Sequence, residues 1–153
     1  MKLAEALLLR GDLQKKLASL RERIGQNALI QEGDAVHEDP NKLLKEAFGV
    51  LDQFERLIFA VNQANLRHKL PDGRTLTAAI ARRDALVLKH SLLQATIAST
   101  KLDPDRYSVS EIKWAATLKV AKLQEQSEDA AKEIRELNAR IQETNWKVEL
   151  GNY

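Results

Sequence analysis

The sequence predicts a mainly α protein: an elongated antiparallel bundle of long, coiled-coil-like helices forming a single helical domain over 1–153. Three observations carry that prediction. Apolar residues recur in alternating steps of three and four through most of the 153 residues, the spacing of a helix that offers a narrow seam to a partner. Only six glycines and three prolines are present, about half of average usage, so few turns are encoded. The three prolines, Pro40, Pro71 and Pro104, all stand between the periodic runs rather than inside them.

The first run spans 2–27, with Leu3, Ala6, Arg10, Leu13, Leu17, Leu20, Ile24 and Asn27 on one comb. Gly11 weakens it by about 1 kcal/mol relative to alanine without ending it. The polar stretch Gln31–Glu38 is long enough to let a second helix fold back antiparallel. Asp39-Pro40 then supplies a cap and a first-turn proline. The second comb runs through Leu44, Ala47, Leu51, Phe54, Ile58, Val61 and Asn65.

Pro71-Asp72-Gly73 reads as a tight turn, in which proline presets φ and glycine accepts a positive one. Thr75 or Thr77 caps a third helix carrying Ala79, Ile80, Leu86, Val87, Leu92, Leu93 and Ile97. Asp103-Pro104-Asp105 marks a second loop, and Ser108 with Glu111 has capping-box spacing. Residues 112–120 alternate at period two, a strand pattern. Two alternatives stand open there: a small two-stranded β ribbon pairing 28–31 with 112–120, or a fourth helix running unbroken from the capping box. The helical comb resumes at Leu123 and continues through Ala130, Ile134, Leu137, Ile141, Trp146 and Leu150, with Gly151 as its stop.

Composition excludes several functions. The absence of cysteine removes disulfides, thiolate metal sites and thiol nucleophiles. The longest apolar run outside the N-terminal helix, Leu57–Val61, falls far short of the roughly 20 residues a spanning helix needs. Glu5 breaks the N-terminal apolar run and no small-residue cleavage site follows, which predicts a cytoplasmic protein with no leader and no membrane contact. A net charge of +2 offers no global polycation for nucleic acid.

Several phrases occur together: Asn27-Ala28 with Gln31-Glu32-Gly33, Asp72-Gly73-Arg74-Thr75-Leu76-Thr77, Tyr107-Ser108 with Ser110-Glu111-Ile112-Lys113, and Ile141-Gln142 with Asn145-Trp146. With the opening Met1–Leu7, they resemble a small bacterial family of helical proteins often labelled septicolysin. The resemblance implies no reaction and no catalytic residues. The label implies a pore-forming cytolysin, which the sequence itself does not support, since it has no secretion signal and no membrane-strand pattern.

The strongest charge asymmetry lies between Arg67 and Lys89, where six cations face two carboxylates. Arg67, Arg74, Arg82 and Arg83 are the candidate phosphate or nucleic-acid ligands, helped by the amides of a helix N-terminus. The competing reading pairs Arg82 and Arg83 with acids of the 32–55 region, and the stretch lacks the aromatics that stack bases. Arg74 belongs to no GxxxxGK[ST] phosphate loop. His37, His68 and His90 have no Glu-x-x-His spacing, so no metal site and no cofactor is predicted. Asn27, Asn65 and Asn145 read as helix-end residues bonding backbone. No nucleophile, base and oxyanion donor converge, so no catalytic residue is assigned.

Leu7, Trp114 and Trp146 are the candidate interface anchors. Leu7, Leu8 and Leu9 add apolar surface that one narrow bundle does not cover. The sequence therefore predicts a non-enzymatic homo-oligomer acting by assembly or partner binding. Nucleic-acid or phosphate binding is the second reading, and an enzyme whose site is shared between subunits, leaving no local motif, is the third.

Overall fold

A computed structural model describes residues 1–101 and 114–151. Four helices account for most of them: α1, Leu3–Asn27; α2, Pro40–Arg67; α3, Leu76–Ser99; and α4, Val120–Lys147. With no strand longer than an isolated bridge among the described residues, the protein is a helical bundle. The chain divides into two compact units, Met1–Lys69 with Gln142–Tyr153, and Leu70–Ile141. Residues of α4 belong to both.

In the first unit α1 and α2 pack as an antiparallel hairpin. Its register is set at two levels, by Lys16 Nζ to Glu46 Oε1 at 2.8 Å and by Arg23 to Glu38. That register brings Ala6 level with Leu57, Leu13 with Val50 and Leu20 with Leu43, all six of them buried. The buried residues repeat every seven positions on both helices, and on α1 Ala6, Leu13 and Leu20 fall on the predicted comb. Arg10, on the predicted comb, points to solvent instead.

The turn between the two helices is closed from within. Asn27, the buried last residue of α1, donates from Nδ2 to the Arg23 carbonyl at 2.8 Å. Its Oδ1 accepts the Glu38 amide at 3.1 Å. Glu38 in turn receives Arg23 through Nε at 2.9 Å and through Nη2. Asp39 caps α2 as the sequence predicts, its Oδ1 accepting the Asn41 amide at 2.9 Å with Pro40 in the first turn.

The predicted α2 seam is displaced. The deeply buried residues are Leu43, Val50, Leu57, Val61 and Ala64, whereas Leu44 and Leu51 of the comb are exposed. The comb falls between two apolar stripes about a third of a turn apart, and α1 covers only one of them.

At its end the chain leaves α4 at Lys147, four residues before Gly151. Gly151 is therefore not the helix stop. Residues 148–150 instead run antiparallel to the N-terminus: the Leu3 amide donates to the Val148 carbonyl and the Leu150 amide to the Met1 carbonyl, both at 2.9 Å. Glu149 bonds Lys2 and the terminal ammonium, which hold its carboxyl below the ordinary glutamate value. Backbone pairing with an extended partner removes these residues from the helix.

In the second unit Leu70–Thr75 forms the predicted turn, with Gly73 at φ 85° donating to the Leu70 carbonyl at 2.9 Å. Thr75 is the cap of α3, its Oγ1 accepting the Ala78 amide at 3.2 Å. α3 and α4 are antiparallel, tied by Arg82 to Glu133 and by Gln94 Nε2 to Ser127 Oγ at 2.7 Å. This places Ala79 level with Leu137 and Leu86 with Ala130, again buried at heptad spacing.

Neither alternative for 112–120 is realised in its described part. Residues 28–31 and 114–119 carry no strand and Val120 opens α4. Leu29 is 90% exposed and Trp114 and Leu118 also face solvent, so a ribbon there has no apolar surface to cover it and is marginal in water. An unbroken helix from the capping box is likewise excluded by the irregular 114–119. The Asp103-Pro104-Asp105 loop and the Ser108–Glu111 capping box lie outside the described residues. Leu57→Ala, at a site with no exposed surface, is expected to cost about 2–5 kcal/mol in urea unfolding. Leu88→Ala, on the 71% exposed side of α3, is expected to change stability by less than about 0.5 kcal/mol.

Candidate functional site

The Pro71–Gly73 turn and the start of α3 build a charge cluster in the second unit. Asp72 Oδ1 accepts the Arg74 amide at 3.1 Å, which fixes the turn. Its Oδ2 accepts Arg74 Nε at 3.0 Å and Nη2 at 2.6 Å. Arg140 of α4 reaches the same oxygen at 3.7 Å. Nearly two turns into α3, Arg82 grips Glu133 of α4 through Nε at 3.1 Å and Nη2 at 2.9 and 3.2 Å. The Arg74 side chain and backbone amide hold the Asp72 carboxyl below its ordinary range, with Arg140 adding to the effect. The Asp72 carboxylate raises the Arg74 pKa, and Glu133 adds to that as well.

The guanidiniums of Arg74, Arg82 and Arg140 gather around the Asp72 and Glu133 carboxylates near the start of α3. Such a cluster has the donors for an oxyanion, but Arg74 and Arg82 are already engaged by Asp72 and Glu133. An incoming phosphate has to displace a carboxylate to bind bidentately.

Of the four predicted basic ligands, Arg74 and Arg82 belong to this cluster. Arg83 turns to its neighbour Asp84, bonding Oδ1 through Nε at 2.9 Å and Nη2 at 2.7 Å. Arg67 belongs to the first unit, in the exposed last turn of α2, where with His68 and Glu149 it lines a cleft of about 200 Å³. The acids of 32–55 are not the partners of Arg82 and Arg83. Glu38 and Glu46 are taken by Arg23 and Lys16 of α1, and α4 supplies the partner of Arg82. The sequence reading missed Arg140 and Glu133. They stand seven residues apart, hence on one face of α4, but nothing local links either to Asp72.

The histidines do not converge: His37 lies in the exposed loop before α2, His68 caps the end of α2, and His90 is half-buried on α3. Among the described residues no three His, Asp or Glu side chains are grouped to hold a metal ion.

Apolar surface is the other conspicuous feature. Leu44, Phe48, Leu51, Phe59 and Leu66 are all exposed on α2, with Phe59 63% accessible. They form one stripe, and an open groove of about 660 Å³ runs along it between Leu51 and Asn62. α3 exposes Val87, Leu88 and Leu92. The candidate anchors Trp114 and Trp146 are 63% and 54% exposed, and Leu7 is half-buried. Among the described residues no helix is long and apolar enough to cross a membrane.

Fold and surface together define a helical-bundle protein with paired surface charges and open apolar helix faces. The chain belongs to a family of unknown function (DUF6847), which it matches over residues 10–150. It is similar to the crystal structure of a functionally unknown conserved protein from Corynebacterium diphtheriae, at 35% identity and a TM-score of 0.90 over 99% of each chain. No curated protein matches it.

The depressed Asp72 carboxyl gives a signed pH dependence. Because its folded pKa lies below the unfolded one, its stabilisation is present above the ordinary aspartate value of 3.8 and is lost as pH falls through the folded value. Asp72→Asn is expected to lower the urea midpoint at pH 7 and to make its decline between pH 5 and roughly 2 shallower than in the unaltered protein. An unchanged decline would show that the cluster makes no net contribution.

Proposed function

We propose that this protein is a non-enzymatic, cytoplasmic assembly or partner-binding module that works by covering its exposed apolar helix faces. The observation that carries the reading is the apolar stripe of α2, where two phenylalanines and three leucines stand in solvent along one side of a helix. Contiguous apolar patches of this kind mark interaction surfaces on soluble proteins, and Trp114 and Trp146 add exposed aromatic anchors.

The second reading is phosphate or nucleic-acid binding through the basic 67–89 stretch, supported by the guanidiniums of Arg74 and Arg82 near the α3 N-terminus. The pore-forming activity implied by the septicolysin label is the least favoured reading.

Light scattering coupled to gel filtration is expected to return a multiple of 17.3 kDa, with a thermal midpoint that rises with protein concentration. A monomer at every concentration, together with salt-sensitive retention of labelled single-stranded DNA or RNA, would move the guanidinium cluster to first place.

A further inference from the structure

We propose that the apolar stripe of α2 is the interface with a second copy of this chain, packed antiparallel about a two-fold axis beside Glu55. This deepens the assembly reading by naming the surface, the occupant and the register.

The stripe is self-complementary when reversed. Counting outward from Glu55, Leu51 and Phe59 lie four residues to either side, and Leu44 and Leu66 lie eleven to either side. All four are exposed. An antiparallel second α2 therefore sets Leu51 against Phe59 and Leu44 against Leu66, twice over, as an isologous two-fold contact requires. The open groove beside Leu51, Ile58 and Phe59 receives the partner's Phe59 and Phe48 side chains.

The charges fit the same axis. Asp52 and Arg56 are exposed on the flank of the stripe, and among the described residues neither makes an ion pair. Equivalent flanks of two antiparallel helices face each other, and Asp52 of one copy then lies within about 3 Å, measured along the axis, of the level of Arg56 on the other. Two reciprocal ion pairs result, on the same side of the seam. A parallel pair would instead put the two copies of this flank on opposite sides of the seam, where Asp52 and Arg56 do not meet. On the other flank the stripe adjoins the seam with α1, so the second copy extends the core of the first unit.

Glu55 itself is the one charged residue inside the stripe. On the axis it meets its own image, so like-charge repulsion at the centre opposes association. The interface is thereby weakened at its centre, while its apolar ends supply the attraction.

Light scattering on the full-length chain tests this directly. The unaltered protein is expected at 34.6 kDa, twice the 17.3 kDa chain mass, and Phe59→Glu at 17.3 kDa with its helical circular dichroism retained. Asp52→Arg or Arg56→Asp alone is expected to weaken the dimer at least tenfold, and the two combined to restore it. Glu55→Gln is expected to tighten it. Because the chain has no cysteine, Glu55→Cys reports the axis without background: mild oxidation is expected to give a covalent dimer, whereas Leu44→Cys cross-links only when mixed with Leu66→Cys. An oligomer unaffected by Phe59→Glu would overturn this interface while leaving the assembly reading standing. A monomeric unaltered protein would overturn both, and a dimer in which Leu44→Cys cross-links to itself would overturn the antiparallel register.

Discussion

A helix packed against one neighbour buries one stripe, about a third of its circumference, and everything else on it must be tolerable to water. α2 violates that condition. It carries Leu43, Val50, Leu57 and Ala64 on the stripe that meets α1, and a second apolar row from Leu44 to Leu66 that no element of its unit covers. Leaving leucine and phenylalanine side chains in water forgoes roughly 1.5–3 kcal/mol each. The stability of the hairpin and the open apolar row are thus two consequences of one helix having more apolar surface than α1 covers.

The hairpin is closed by polar contacts rather than by further apolar packing. Asn27 occupies the last heptad position of α1, where a leucine would extend the seam, and bonds both the helix it ends and the loop that leads to α2. Arg23 and Glu38 complete that closure on the surface. At the opposite end the two termini pair as extended backbone, Leu3 with Val148 and Leu150 with Met1. Each such contact is worth only about a kilocalorie per mole net, but each also supplies partners that backbone and side-chain polar groups need when withdrawn from water.

Charge does a different job in the second unit. Asp72 and Glu133 take up the hydrogen-bonding capacity of Arg74 and Arg82, and Asp84 that of Arg83, so half of the six cations between Arg67 and Lys89 are paired in the fold. The contribution of such exposed pairs to stability is small. Their consequence is functional: an anion reaches these arginines only by competition. Apolar surface on α2 meets no such competitor, which is why binding through helix faces is the better-supported reading for this member of the family.

Much was determined by the sequence alone. Periodicity and the scarcity of glycine and proline specified four helices, and local chemistry specified the Asp39-Pro40 cap, the Gly73 turn and the Thr75 cap, because each depends on residues within a few positions of one another. What tertiary structure decided depends on partners far away in the chain. Which of two adjacent stripes of α2 faces α1 is a choice of rotation that a comb of leucines alone does not make. That Arg82 meets Glu133, and Asp72 meets Arg140, follows from the antiparallel pairing of α3 with α4. That Val148–Leu150 abandon the helix before Gly151 follows from the arrival of the N-terminus beside them, since only a second strand of backbone can satisfy the hydrogen bonds that leaving the helix exposes.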